Sequence, residues 1–140
     1  MKAFIRGVGG LIVGVVVSLV LITIVELFSD LFFPLPKDHE PTRDEICLHV
    51  QRYPTWILAV VVPAWMFTAY VGTWVATRVG NRLSAMVLAS LLVLAVALNL
   101  SQLPYAVWFK AATLVAIPLG CALALRTRRV SQSVPSADTR

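Results

Sequence analysis

The sequence predicts an all-α protein: a four-helix antiparallel transmembrane bundle with a short amphipathic helix in the first outer loop. Hydrophobic residues make up 59% of the 140 residues and charged residues only 14%, whereas soluble domains are about half apolar and about a quarter charged. Four apolar runs each approach the roughly 20 residues that cross a bilayer. This composition disfavours a water-soluble enzyme, a nucleic-acid-binding protein and a disordered chain.

The four predicted spans differ in how many polar residues interrupt them. The first contains one acid, Glu26, the second contains no charge, and the fourth is interrupted by Lys110 and Pro118. The spans are predicted at 8–28, 56–77, 83–100 and 103–125. They form a single membrane domain, 1–130, and the polar tail 131–140 is predicted to be disordered.

The basic residues predict the orientation of the chain. With four crossings, one side of the membrane receives Lys2, Arg6, Arg78, Arg82, Arg126, Arg128 and Arg129. Because Lys and Arg are enriched in cytoplasmic loops, both termini are predicted to be cytoplasmic. Three of these residues, Arg126, Arg128 and Arg129, are also expected to attract anionic lipid headgroups, at about 1 kcal/mol each. No nucleic acid is expected as a partner.

The connections between the spans differ in length. The stretch from Thr77 to Arg82, which contains Gly80-Asn81, predicts a tight inner turn that makes the second and third helices antiparallel neighbours. The outer loop, 30–54, carries Thr42 and Glu45 at capping-box spacing. Apolar side chains follow at helical spacing up to Pro54, so a short surface helix is predicted here.

Small residues recur at four-residue spacing on three of the predicted helices. They are Gly10, Gly14 and Ser18; Gly72, Ala76 and Gly80; and Ala112, Ala116 and Gly120. Such stripes let helix backbones approach closely in lipid. We expect these faces to pack the bundle against itself, with a second copy or a membrane-protein partner as the alternative.

Glu26, Asn99 and Lys110 form a candidate polar layer inside the membrane. At 1.5 Å per residue, all three lie roughly 22–27 Å from the inner ends of their spans, close to the outer edge of the hydrocarbon. The simplest interpretation is structural, with Glu26 paired to Lys110 or accepting a hydrogen bond from Asn99. The alternative is that the layer handles a proton or a cation.

The outer loop also collects acids, two histidines and Cys47. Glu45 and His49 are spaced so that both could face one metal, but no paired metal-binding motif accompanies them. Whether Cys47 is free or cross-links two copies is left open. No nucleophile, base and orienting group fall in one leaflet, so the sequence predicts no enzyme, no cofactor and no metal site.

Three segments carry a resemblance to known sequences. They are Glu26, the run from Ala64-Trp65 through Gly72-Thr73-Trp74-Val75-Ala76, and Asn99-Leu100-Ser101-Gln102-Leu103-Pro104 followed by Trp108-Phe109. In them the chain resembles small four-span bacterial membrane proteins for which no activity is known. Where those sequences carry His-Pro, this chain has Leu103-Pro104. The resemblance implies a multi-pass protein of the bacterial inner membrane.

Two functions remain open at this point. The first, which the sequence favours, is a non-enzymatic structural or assembly component of the membrane. The second is a small transporter or channel subunit that handles a proton or cation through the layer around Glu26. A sealed bundle with Glu26 paired to a side chain favours the first, and a cavity that reaches Glu26 favours the second.

Overall fold

The structure, a computed structural model, describes residues 1–34 and 41–131, and this part of the chain forms five helices. They are α1 (Lys2–Phe32), α2 (Arg43–Gln51), α3 (Thr55–Val79), α4 (Arg82–Gln102) and α5 (Val107–Ser131). The four long helices are long and apolar enough to cross a membrane. The predicted all-helical, four-span bundle with one short additional helix is therefore confirmed.

The helices extend beyond the predicted spans, with one exception. The 31 residues of α1 correspond to about 46 Å at 1.5 Å per residue, which exceeds a hydrocarbon core of about 30 Å. The exception is α5, which begins at Val107 instead of 103. Leu103 is extended there, because a residue before proline avoids helical backbone angles. Of the predicted tail, 132–140 lies outside the described residues.

The short helix α2 begins with the predicted capping box. The Glu45 N–H donates to Thr42 Oγ1 at 3.4 Å, and the Thr42 N–H donates to Glu45 Oε2 at 2.7 Å. Both groups would otherwise lack partners at a helix start. The helix ends at Gln51, three residues before Pro54.

A second capping box makes the tight turn between α3 and α4. The Ser84 N–H donates to Asn81 Oδ1 at 2.9 Å, and the Asn81 N–H donates to Ser84 Oγ at 3.0 Å. Gly80 ends α3 and Asn81 begins α4 without a longer connection. This turn lies near the start of α1, since Arg6 donates from Nε to the carbonyl of Val79 at 3.3 Å.

Helix α3 is the centre of the bundle and packs against α1, α4 and α5. In the described chain, no Cα of α1 lies within 8 Å of a Cα of α5. One core cluster lies at the end of the bundle that carries α2, which we call the α2 end, and it comprises Ile57, Leu58, Val61, Leu100 and Phe109. A second cluster, at the opposite end, comprises Ala76, Ala85 and Leu88.

The small residues of α1 and α3 face each other in antiparallel register. A Cβ placed on Gly10 would overlap the backbone of Gly80, and one placed on Gly14 would lie 2.8 Å from the Cβ of Ala76. A Cβ on Gly72 would overlap Ser18. The two helices therefore approach at a distance that larger residues do not allow.

On α5, the small residues face α3. A Cβ on Gly120 would lie 2.5 Å from the carbonyl oxygen of Met66. Ala116 is buried, while Ala112 is half-buried. The three stripes thus lie on faces that the bundle uses for its own packing, with the closest approach at the α1–α3 interface.

Candidate functional site

A cavity of about 110 Å³ lies at the α2 end of the bundle, between α1, α3, α4, the start of α5 and the connections before α3 and α5. Its walls carry six polar or ionisable side chains, and we call it the polar cavity. These side chains are Glu26, Ser29, Asp30, Tyr53, Asn99 and Tyr105. Apolar side chains that include Trp65 and Phe109 complete the wall.

Two carboxylates give the polar cavity its negative charge. Glu26 and Asp30 lie one helical turn apart on α1, and both are exposed at the surface of the isolated chain. Among the residues that the structure describes, no lysine or arginine lines this cavity, and no ion pair joins either carboxylate to a basic side chain. The local charge is therefore not compensated by the described part of the protein.

The pKa values of the two tyrosines in the polar cavity are raised mainly by burial and further by neighbouring negative charge. Burial raises the pKa of Tyr105 to about 12, and the neighbouring Tyr53 and Glu26 add to the rise. Burial also raises the pKa of Tyr53, with further contributions from Asp30 and Glu26. A negative neighbour disfavours a phenolate, so both side chains are neutral hydroxyl groups at physiological pH.

Aromatic rings form the inner side of the polar cavity. Phe109 is fully buried, with ring centroids 5.8 Å from Trp65 and 4.9 Å from Tyr105. The indole Nε1 of Trp65 is buried and has no hydrogen-bond partner among the described residues. Buried indole N–H groups usually find an acceptor, so this donor is available to a bound molecule or to water.

Helix α2 is attached to the rest of the bundle through aromatic contacts beside this cavity. The ring of His49 stacks on Phe33 with centroids 4.5 Å apart and meets Tyr53 edge-on at 5.3 Å. Phe33 follows α1 directly, and Tyr53 lines the polar cavity. The position of α2 therefore determines where one wall of the cavity lies.

A second cavity, of about 150 Å³, shares Glu26, Trp65 and Asn99 with the first. Apart from these three residues and Thr68, its lining is aliphatic, and we call it the apolar cavity. The aliphatic residues are Ile22, Ala69, Leu92, Ala95, Val96 and Ile117. Thr68 donates its hydroxyl hydrogen to the carbonyl of Ala64 at 3.0 Å, so its hydrogen-bond donor is already used.

The residues of the predicted polar layer do not all come together. Glu26 and Asn99 line both cavities, whereas Lys110 lines neither. Within the described residues, no ion pair joins Glu26 to Lys110. The physical reason is side-chain direction: Phe109, the residue before Lys110 on α5, lines the polar cavity, and consecutive side chains of a helix point in different directions.

The loop residues considered as metal ligands show no metal-binding arrangement in the part of the chain that is described. No group of three or more His, Cys, Asp or Glu side chains is placed to hold an ion there. Asp38, His39 and Glu40 lie outside the described residues. Cys47 on α2 and Cys121 on α5 are both free thiols, half-buried and buried respectively.

Sequence reasoning missed Asp30, Tyr53, Tyr105 and Trp65 as parts of the site. Tyr53 and Tyr105 lie in connections between helices, and both line the polar cavity. A signal was present, since each tyrosine is adjacent to a proline, Pro54 or Pro104, between two helices. Because a proline at these positions restricts the backbone, it holds the adjacent tyrosine in place at the cavity wall.

Fold and site together define a four-span helical membrane protein with an acidic, aromatic-lined cavity at one end. Comparison with models of protein families, with curated proteins and with solved structures gives no match.

Proposed function

We propose that this protein is a small membrane transporter or channel subunit that binds a cation at Glu26, in the polar cavity. The observation that carries the proposal is that Glu26 lines two cavities and has no basic partner in the described chain. A charged side chain within a membrane-spanning segment, such as Glu26 in α1, is costly unless something compensates its charge. A proton or an external cation fulfils this requirement where the described residues supply no lysine or arginine.

The position of Glu26 supports an exchange with water. It lies six residues before the end of α1, about 9 Å along the helix axis. Asp30, which also lines the polar cavity, lies four residues closer than Glu26 to the end of α1. A cation that enters from water at this end therefore meets Asp30 before Glu26.

The structural or assembly role is the other proposal that the sequence raised. Its support in the sequence was the expectation that Glu26 pairs with Lys110 or accepts a hydrogen bond from Asn99, and neither contact is present among the described residues. The small-residue stripes pack the bundle against itself as expected, as Gly10 against Gly80 and Ser18 against Gly72 illustrate. A purely structural role does not require a cavity at Glu26. The presence of this cavity therefore favours cation binding.

The proposal includes an inner-membrane location, with both termini cytoplasmic and the α2 end outside. It rests on the distribution of Lys and Arg, and Cys47 gives a direct test. In intact cells, a membrane-impermeant maleimide is expected to label the native chain and not the Cys47→Ser variant, in which only the buried Cys121 remains. Labelling that requires membrane permeabilisation would place the α2 end inside.

Flux through reconstituted protein tests the binding role. Proteoliposomes that contain the full chain are expected to take up methylammonium or protons down an imposed gradient faster than empty vesicles. Glu26→Gln should remove this flux. Asp44→Asn is the matched control, because Asp44 is an exposed acid on α2 that lines neither cavity. Equal flux through the wild-type and Glu26→Gln proteins would contradict the proposal.

A further inference from the structure

The apolar cavity adds an apolar compartment to the proposed cation site at Glu26. It shares Glu26, Trp65 and Asn99 with the polar cavity and continues along α4 to Leu92. Seven residues separate Asn99 from Leu92, about 10 Å along the helix. A single molecule can therefore have a charged end beside Glu26 and an apolar end deeper in the membrane-spanning region.

Burial shows which way the apolar cavity opens. Its floor is formed by Ala69 of α3 and Ile117 of α5, which are 1% and 3% exposed. Glu26 of α1 and Ala95 and Asn99 of α4 are exposed at its rim. The opening therefore lies between α1 and α4, on the side of the bundle that faces lipid when the helices span a membrane.

The volume limits the size of the apolar group. A cavity of about 150 Å³ corresponds to an engineered cavity that holds benzene, a six-carbon molecule. The aliphatic lining offers such a group no hydrogen-bonding partner. Near Glu26, the rings of Trp65 and Tyr105 and the amide of Asn99 line the neighbouring polar cavity, and aromatic faces attract organic cations.

We propose that the ligand is an amphipathic organic ammonium ion with an apolar group of about six carbons, which reaches the site sideways from the bilayer between α1 and α4. The ammonium group lies between Glu26 and the aromatic wall, and the apolar group fills the apolar cavity. This inference rests on the proposed function, since it specifies the cation that Glu26 binds.

Equilibrium binding to the full chain in lipid nanodiscs tests this, with empty nanodiscs subtracted to remove partitioning into lipid. Hexylammonium is expected to bind saturably and at least tenfold more tightly than methylammonium, and decylammonium should gain little over hexylammonium. Hexanol and hexanoate, which lack the positive charge, should bind at least tenfold more weakly than hexylammonium. These comparisons need no variant and so do not depend on how a mutant folds.

Two variants test the contribution of the apolar cavity separately from that of Glu26. Ala95→Leu narrows the opening of the apolar cavity and is expected to reduce the affinity ratio of hexylammonium to methylammonium at least fivefold. Ala122→Leu is the matched control, since Ala122 is exposed on α5 and lines neither cavity. It should leave that ratio unchanged.

The outcomes distinguish this inference from the proposed function. Equal affinity for hexylammonium and methylammonium, with both lost in Glu26→Gln, would overturn the amphipathic ligand and leave the cation site standing. Equal binding of hexylammonium and hexanol would also overturn it. If no cation binds or crosses in a Glu26-dependent way, the proposed function itself fails.

Discussion

Ser18 occupies the space that a side chain on Gly72 would need, and this contact sets the distance between α1 and α3. The Ser18 hydroxyl donates to the carbonyl of Gly14 at 2.9 Å, and Ser18 is only 2% exposed. Two turns away, the backbones of Gly10 and Gly80 meet directly. A side chain added at Gly10 would thus meet backbone, which cannot move aside, whereas one added at Gly72 would meet a hydroxyl group, which can rotate.

This difference predicts a ranking of glycine substitutions. Gly10→Ala should destabilise the bundle by about 1–3 kcal/mol, the usual cost of overpacking, and Gly72→Ala should cost less. Gly9→Ala is the control, because a Cβ there meets nothing within 4 Å. It should be neutral or stabilising by up to about 1 kcal/mol through helix propensity. Unfolding in mixed micelles, followed by circular dichroism, measures the three values, and equal losses at Gly9 and Gly10 would contradict the packing described.

The charge of Glu26 should be visible in the titration of the tyrosines. Glu26→Gln removes a negative neighbour and should lower the pKa of Tyr105 from its value of about 12, and also the pKa of Tyr53. Phenolate absorbance measured against pH reports this, and Tyr105→Phe identifies which transition belongs to Tyr105. Asp44→Asn should leave the pKa values of both tyrosines unchanged.

The same pKa shift predicts alkaline sensitivity. Because the folded-state pKa of Tyr105 lies above its ordinary value of 10.0, the neutral phenol contributes stability that is fully present below pH 10. This contribution is lost as the pH rises from 10 towards 12. Tyr105→Phe should therefore show a smaller loss of helicity than the wild type over this range. An identical loss in both proteins would show that Tyr105 ionises freely.

The separation of α1 from α5 predicts that Glu26 and Lys110 are energetically independent. A double-mutant cycle of Glu26→Gln and Lys110→Gln should give a coupling energy below about 0.5 kcal/mol, the additivity expected of distant sites. The readout is again the unfolding of the full chain in mixed micelles. A coupling of 1 kcal/mol or more would indicate the ion pair that the sequence favoured.

The capping box of α2 should control the local stability of that helix. Thr42→Ala removes the acceptor for the Glu45 N–H and should cost about 1 kcal/mol. Hydrogen exchange across 43–51 should become about five times faster, with little change in the long helices. Thr55→Ala is the control, because α3 begins without a side-chain cap. Unchanged exchange in Thr42→Ala would show that the aromatic contacts of His49 hold α2 without the cap.

Much of the fold was predictable because its signals are local. The length of each apolar run predicts a span, Thr42 with Glu45 predicts a capped helix, and Gly80-Asn81 predicts a tight turn. The four-residue spacing of small residues predicts close packing. It does not predict which stripes pair, since that depends on the arrangement of α1 next to α3.

The candidate site was only partly predictable. Depth along a helix places Glu26, Asn99 and Lys110 at one level, because the rise per residue is constant. Depth contains no information about the direction in which a side chain points around the bundle. For that reason Tyr53, Tyr105 and Trp65 were missed as wall residues, and Lys110 was placed in a layer whose cavities it does not line.

The four-span helical bundle follows from the amino-acid sequence alone, because hydrophobic length and the location of charges are properties of the chain. The neighbours of each helix are seen only in the folded molecule. There, α3 lies at the centre and α1 is separated from α5, and Glu26 lies in the wall of two cavities without a basic partner among the described residues. Two helices become neighbours when their faces of small residues fit together. This fit depends on residues far apart in the chain, so composition and periodicity do not reveal it.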